Sequence, residues 1–117
     1  MISVAETRKK FEEDPAGWRI PLMDFVDDFR FYRDVTAIEQ PFELGDVEKD
    51  AVFAGVIETL CDELDIPIPE WLLQVPPCKQ PLFLSRMESL KATAIVQSPV
   101  RFRLRKVFVH ENFLSRV

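Results

Sequence analysis

A chain of 117 residues, 47% hydrophobic and 30% charged, has the size of one domain and the balance of a folded protein rather than a disordered one. No apolar run reaches the roughly 18–20 residues that cross a bilayer, and the sequence turns charged soon after Met1, so neither a membrane span nor a secretory leader is expected and the cytoplasm is the expected location. The formal net charge of −5 conceals a split: residues 1–70 hold 18 acids and 7 Lys/Arg, a net of −11, whereas residues 71–117 hold 2 acids and 8 Lys/Arg, a net of +6.

Residues 1–14 read as a first helix with Val4, Ala5, Arg8 and Phe11 on one face. Glu12-Glu13-Asp14 crowds its C-terminus, where the helix dipole disfavours negative charge. That predicts a frayed helix, or one borrowed by a partner, ended by Asp14-Pro15-Ala16-Gly17. A second helix is predicted over about 21–34, because Leu22, Phe25, Val26 and Phe29 fall at i, i+3, i+4 and i+7. The third is the clearest: Asp46 as N-cap, an apolar stripe of Phe53, Val56, Ile57, Leu60, Cys61 and Leu64, and an end near Asp65.

Ile66-Pro67-Ile68-Pro69 excludes helix, since a residue before proline is pushed to extended conformations. Glu70-Trp71-Leu72-Leu73 suits a single turn, and Pro76, Pro77 and Pro81 keep the next stretch irregular. A fourth helix is predicted over about 85–97. Ser98-Pro99 is a helix start, with Ser98 as cap. The run from Val100 to Val109 carries both periods. Arg101, Arg103 and Arg105 alternate with Val100, Phe102 and Leu104, as in a strand, yet Val100, Leu104, Val107 and Phe108 keep helical spacing. The Ser-Pro start favours a short helix. The expected fold is therefore mostly α: one compact domain, residues 1–117, of about four to six helices. Its acidic helical part covers about 1–66, its Pro-rich connection 66–82 and its basic helical part about 83–117.

No residue set specifies a reaction. The single histidine, His110, lies in no nucleophile signature with Cys61, Cys78 or a serine. Two scattered cysteines lack zinc-ligand spacing and are expected as reduced thiols. The three glycines stand apart and form no phosphate loop. No metal, cofactor or catalytic residue is expected, and the chain is not expected to be an enzyme. Asp24, Asp27 and Asp28 share a helical face that suits a solvated surface better than a Mg²⁺ site.

The strongest candidate is the run Arg101, Arg103, Arg105 and Lys106, four cations in six residues. They can pair with the acidic half of the chain, face an acidic protein partner, or track a phosphate backbone. A sequence pI of about 4.9 disfavours a dedicated nucleic-acid binder, which is usually net basic. The tail Val107-Phe108-Val109 with Phe113 and Leu114 is apolar for a chain end. It either closes the core or docks on another chain. On this reading Arg101, Phe102, Arg103, Arg105, Lys106, Phe108 and Phe113 form a partner-binding set, aromatics as anchors and cations as orienting charges.

The second half also resembles a family of small, uncharacterised bacterial proteins. The resemblance rests on Ile66-Pro67-Ile68-Pro69-Glu70-Trp71, Pro81-Leu82-Phe83, Glu88-Ser89-Leu90-Lys91-Ala92, and the stretch from Gln97-Ser98-Pro99 through Phe108-Val109 to Leu114-Ser115-Arg116. It covers roughly residues 64–117, with a weaker echo in Leu22–Arg30. Members tend to carry Pro-Trp-Phe in place of Pro81-Leu82-Phe83 and Asn in place of Lys106. The family resembles toxin–antitoxin components, some beside a nucleotidyltransferase-like toxin. The resemblance implies a non-catalytic, antitoxin-like subunit that masks or supports a partner enzyme, with a nucleic-acid-binding regulator as the alternative. It transfers no catalytic residue.

Overall fold

The computed structural model describes residues 1–84, 98–109 and 113–114. Three helices carry the core: α1 (Val4–Glu13), α2 (Arg19–Tyr32) and α4 (Val47–Leu64), with a one-turn α3 (Thr36–Glu39) between the last two. A short α5 (Val100–Leu104) and two two-residue strands, β1 (Leu82–Phe83) and β2 (Val107–Phe108), complete a mostly α architecture. The fourth helix predicted over 85–97 lies outside the described residues.

α1 starts where Ser3 accepts the Glu6 N–H. It buries Val4, Thr7, Arg8 and Phe11, so its apolar face is used inside the fold and is not left for a partner, contrary to the expectation of a borrowed helix. Asp14 accepts the Gly17 N–H of the 3-10 turn Pro15–Gly17. α2 buries the four residues that its spacing marks and begins two residues earlier than predicted, then ends on left-handed Arg33. Asp34 accepts from the Thr36 N–H and hydroxyl, fixing the entry to α3. Those two bonds hold the Asp34 carboxyl below its ordinary pKa.

α4 runs from the predicted Asp46 cap to the predicted end near Asp65. Asp46 accepts the Glu48 and Lys49 N–H groups at 3.0 and 3.1 Å, and Asp65 closes the other end in the left-handed region. This helix is buried on more than one stripe, from Asp50 through Glu58 and at Leu60 and Cys61. The cause is its central position: α2 and α5 pack on it, and α1 reaches it through Phe11 and Arg8. Phe53 is the hub, with ring centroids of Phe11, Phe25 and Phe42 each 5.3 Å away. Aromatic pairs at such separations add about 0.5–1.5 kcal/mol each beyond area burial.

After α4 the Pro-rich connection makes the expected single turn, a 3-10 helix at Glu70–Gln74. Trp71 Nε1 anchors it by donating to Ile38 O at 2.8 Å. The run 100–109 holds both a helix and a strand, but its strand-like alternation over 100–105 falls on the helix. It is helical to Leu104, reverses at Arg105 and Lys106 (φ 61°), and is extended at Val107–Phe108. The helix expected to continue to 109 stops because β2 pairs in parallel with β1, Leu82 opposite Val107 and Phe83 opposite Phe108. Ser98 is not the helix cap either. Its hydroxyl accepts the Val109 N–H at 2.7 Å and donates to Val109 O at 2.9 Å, which ties the start of the segment to its end.

Candidate functional site

The seven residues of the partner-binding set do not form one surface, because α5 has only five residues and must bury one side. Phe102 faces α4 and is fully buried. The approach is so close that a Cβ on Gly55 would stand 2.7 Å from Phe102 Cδ1. Phe102 is a core residue and cannot anchor a partner, which corrects the sequence expectation. Arg105 is corrected in the same way. Its Nε donates to Glu58 Oε1 at 2.6 Å, Nη1 to Val75 O at 2.8 Å and Nη2 to Leu72 O at 2.9 Å, all buried.

Arg101 lies at the margin. Nε and Nη2 donate to the two carboxylate oxygens of Asp62 at 2.8 and 3.2 Å. Phe108 is half-buried and stacks on Phe83 at 5.1 Å. Phe113 is half-buried, set edge-on to Phe102 at 5.9 Å, with the Arg19 guanidinium 5.9 Å from its ring. Val107, Val109 and Leu114 are buried, and Leu114 O accepts from Arg30 Nη1 at 2.7 Å. The described part of the apolar tail therefore closes the core. His110 lies outside the described residues.

Arg103 and Lys106 remain exposed, with no ion pair among the described residues. Beside them on α5, Val100 and Leu104 sit at i and i+4, 53% and 69% exposed. Arg105 holds the carbonyl of Leu72, whose neighbour Leu73 is 82% exposed. The Cys78 N–H donates to Arg105 O at 3.0 Å and so brings exposed Lys79 to the same end. Val100 and Leu104, exposed beside Arg103 and Lys106, are an aliphatic pair that the sequence reading missed as anchors, because it took the aromatics for them. The signal was present in the helical spacing of Val100 and Leu104 opposite Phe102.

The other candidates are placed as follows. Asp28 accepts the Ile2 N–H at 2.7 Å, and among the described residues no group of three or more His, Cys, Asp or Glu is arranged to hold a metal ion. Cys61 and Cys78 are free, buried thiols. Burial, with Asp62 and Glu58 nearby, pushes Cys61 up to about 11. Burial also raises Cys78, aided by Glu48 and Asp46. A thiol held protonated is a poor nucleophile. No helix among the described residues is long and apolar enough to cross a membrane. The sequence matches no protein-family model, and neither the curated proteins nor the solved structures give a significant match.

A buried ion pair, absent from the sequence expectations, ties α1 to α4: Arg8 Nε donates to Asp50 Oδ1 at 2.8 Å, both side chains 3% exposed. Burial works to lower the Arg8 pKa, but the Asp50 hydrogen bond and the close Asp50 and Glu12 carboxylates outweigh it and hold Arg8 above its ordinary value. The clue was Arg8 itself, a cation on the apolar face of α1.

Proposed function

We propose that this chain is a non-catalytic protein-binding subunit, antitoxin-like, that masks or supports a partner enzyme through the outer face of α5. The observation that carries the reading is the division of α5. Phe102 and Arg105 point into the fold, while Val100 and Leu104 point out beside Arg103 and Lys106. Aliphatic side chains exposed on a rigid, well-anchored helix suit a partner's apolar patch, and the flanking cations suit an acidic rim. A partner of that kind fits better than nucleic acid, whose backbone rewards cations but gains nothing from Val100, Leu104 and Leu73. The partner class implied by the family resemblance is a nucleotidyltransferase-like toxin.

The test is co-purification of the tagged chain from its native lysate, with nuclease treatment, beside a Leu104→Asp/Arg103→Glu variant of unchanged circular dichroism and Tm. The expected result is one stoichiometric protein that survives nuclease and is lost in the variant. A band retained equally by the variant removes α5 as the contact. Recovery of nucleic acid alone replaces the reading with a nucleic-acid-binding regulator.

A further inference from the structure

A cleft of about 480 Å³ opens between α1 and the loop before α4, walled by Ala5, Lys9, Pro41, Glu43 and Leu44. Ligand sites begin at roughly 300 Å³. Arg8, Glu12 and Gly45 complete the lining. Arg8 is 3% exposed, yet only its Nε makes a hydrogen bond. Nη1 stands 2.7 Å from Glu12 Oε1 at an angle too poor for one, and Nη2 has no acceptor among the described residues. Gly45 lies over that gap, where a Cβ would come within 3.1 Å of Nη2 and 3.2 Å of Glu12 Oε1.

The charge of Arg8 is already met by Asp50 and Glu12; what it lacks is a well-aligned acceptor. With Arg8 and Lys9 set against Asp50, Glu12 and Glu43, the cleft is net negative and disfavours an incoming anion. An uncharged carbonyl oxygen meets the need without that repulsion. Glu12 is 62% exposed and free to swing off Nη1 as the oxygen arrives. The Glu12 and Glu43 carboxylates then offer acceptors for an N–H on the same ligand. The C=O and N–H of a single trans amide point apart, but those of one residue in an extended peptide point to the same edge, and Ala5, Pro41 and Leu44 provide an apolar wall for an aliphatic group next to it.

We propose that this cleft binds an extended peptide segment, recognised by the C=O of one residue at Arg8, the N–H of the same residue at the Glu12 and Glu43 carboxylates, and one aliphatic side chain against Leu44. The proposal does not rest on the α5 surface, which is a separate set of residues. The probe is the blocked peptide acetyl-Ala-Leu-Ala-methylamide, titrated into the ¹⁵N-labelled full chain and followed by two-dimensional amide NMR. Isovalerate, an aliphatic carboxylate, is the control. The Gly45 backbone has no positive φ, so Gly45→Ala suits the backbone while crowding a methyl against Nη2 and Glu12 Oε1.

Saturable shifts at Ala5, Lys9, Leu44 and Gly45 with millimolar affinity are expected, weakened about tenfold in Gly45→Ala. Isovalerate is expected to leave those residues unmoved. Absence of saturable peptide shifts overturns the proposal. So does equal affinity in Gly45→Ala, or isovalerate binding as tightly as the peptide.

Discussion

Arg105 Nε and Glu58 Oε1 stand 2.6 Å apart inside the fold, and the other two guanidinium nitrogens donate to the carbonyls of Val75 and Leu72. One side chain thus joins α4, the 3-10 turn and the end of α5. Removing one member of a buried pair leaves the other charged and unpaired, at a cost of about 3–5 kcal/mol. Arg105→Ala is expected to lose that much in urea unfolding, whereas Arg101→Ala, whose partner Asp62 is exposed, is expected to lose about 1 kcal/mol or less. Equal losses in the two variants would contradict this division of α5.

Gly55 and Phe102 make a second quantitative case. Gly→Ala in a helix interior normally gains about 1 kcal/mol, but here the added methyl meets Phe102 at 2.7 Å, in a core that is packed all round. Overpacking costs about 1–3 kcal/mol, so Gly55→Ala is expected to be destabilising on balance. Phe102→Leu in the same chain is expected to recover part of the loss, which a double-mutant cycle on Tm would show.

Lys106 holds φ 61° without being glycine, at the reversal that lets β2 reach β1. Left-handed backbone costs most residues roughly 1–2 kcal/mol, and Asn and Gly less. Lys106→Gly is expected to raise stability by about 1 kcal/mol. Asn, which tolerates that region better than most residues, is expected to do so more weakly. Denaturant midpoints at constant m-value check both.

What the sequence made legible follows from how local each signal is. The caps of α4 at Asp46 and Asp65 and the face of α2 were readable because i, i+3, i+4 spacing and capping chemistry are written within one element. The residues of the α1 face were readable too, but not their use. The fraying argument from Glu12-Glu13-Asp14 was outweighed by the pairing of Arg8 with Asp50, 42 residues away. The strand-like alternation over 100–105 falls on what is helix to Leu104, and the strand is only Val107–Phe108, so neither spacing located the change of structure. The β pairing depends on Leu82 and Phe83, which carry no sequence mark of a parallel partner. The site reading went wrong at Phe102 and Arg105 for one reason. An aromatic and an arginine are favoured both at interfaces and in buried pairs, and only the third dimension shows that Gly55 and Glu58 wait opposite them.

The Arg8–Asp50 pair allows a test of how much of this polar core is stabilising. Asp50→Asn is expected to cost about 3–5 kcal/mol by stranding a buried guanidinium. The double variant Arg8→Met/Asp50→Leu removes both charges and is expected to recover most of that loss, because buried pairs repay little beyond their own desolvation. Thermal unfolding of the three variants checks the ordering. A double variant no better than Asp50→Asn would assign the pair a net stabilising role.

Cys61 gives the pH dependence. Its folded-state pKa of about 11 lies above the ordinary thiol value, because burial first, then Asp62 and Glu58, disfavour the thiolate. Below the unfolded pKa both states hold the proton and the contribution is constant. Above it the unfolded chain releases the proton while the fold retains it, so the unfolded state binds fewer protons and stability falls with rising pH. The fall is expected from about pH 9 towards the folded value near 11. Cys61→Ala costs packing at every pH but removes this term, so its Tm is expected to decline less steeply across that window than the native chain's. Parallel curves would mean that the Cys61 thiol titrates alike in both states.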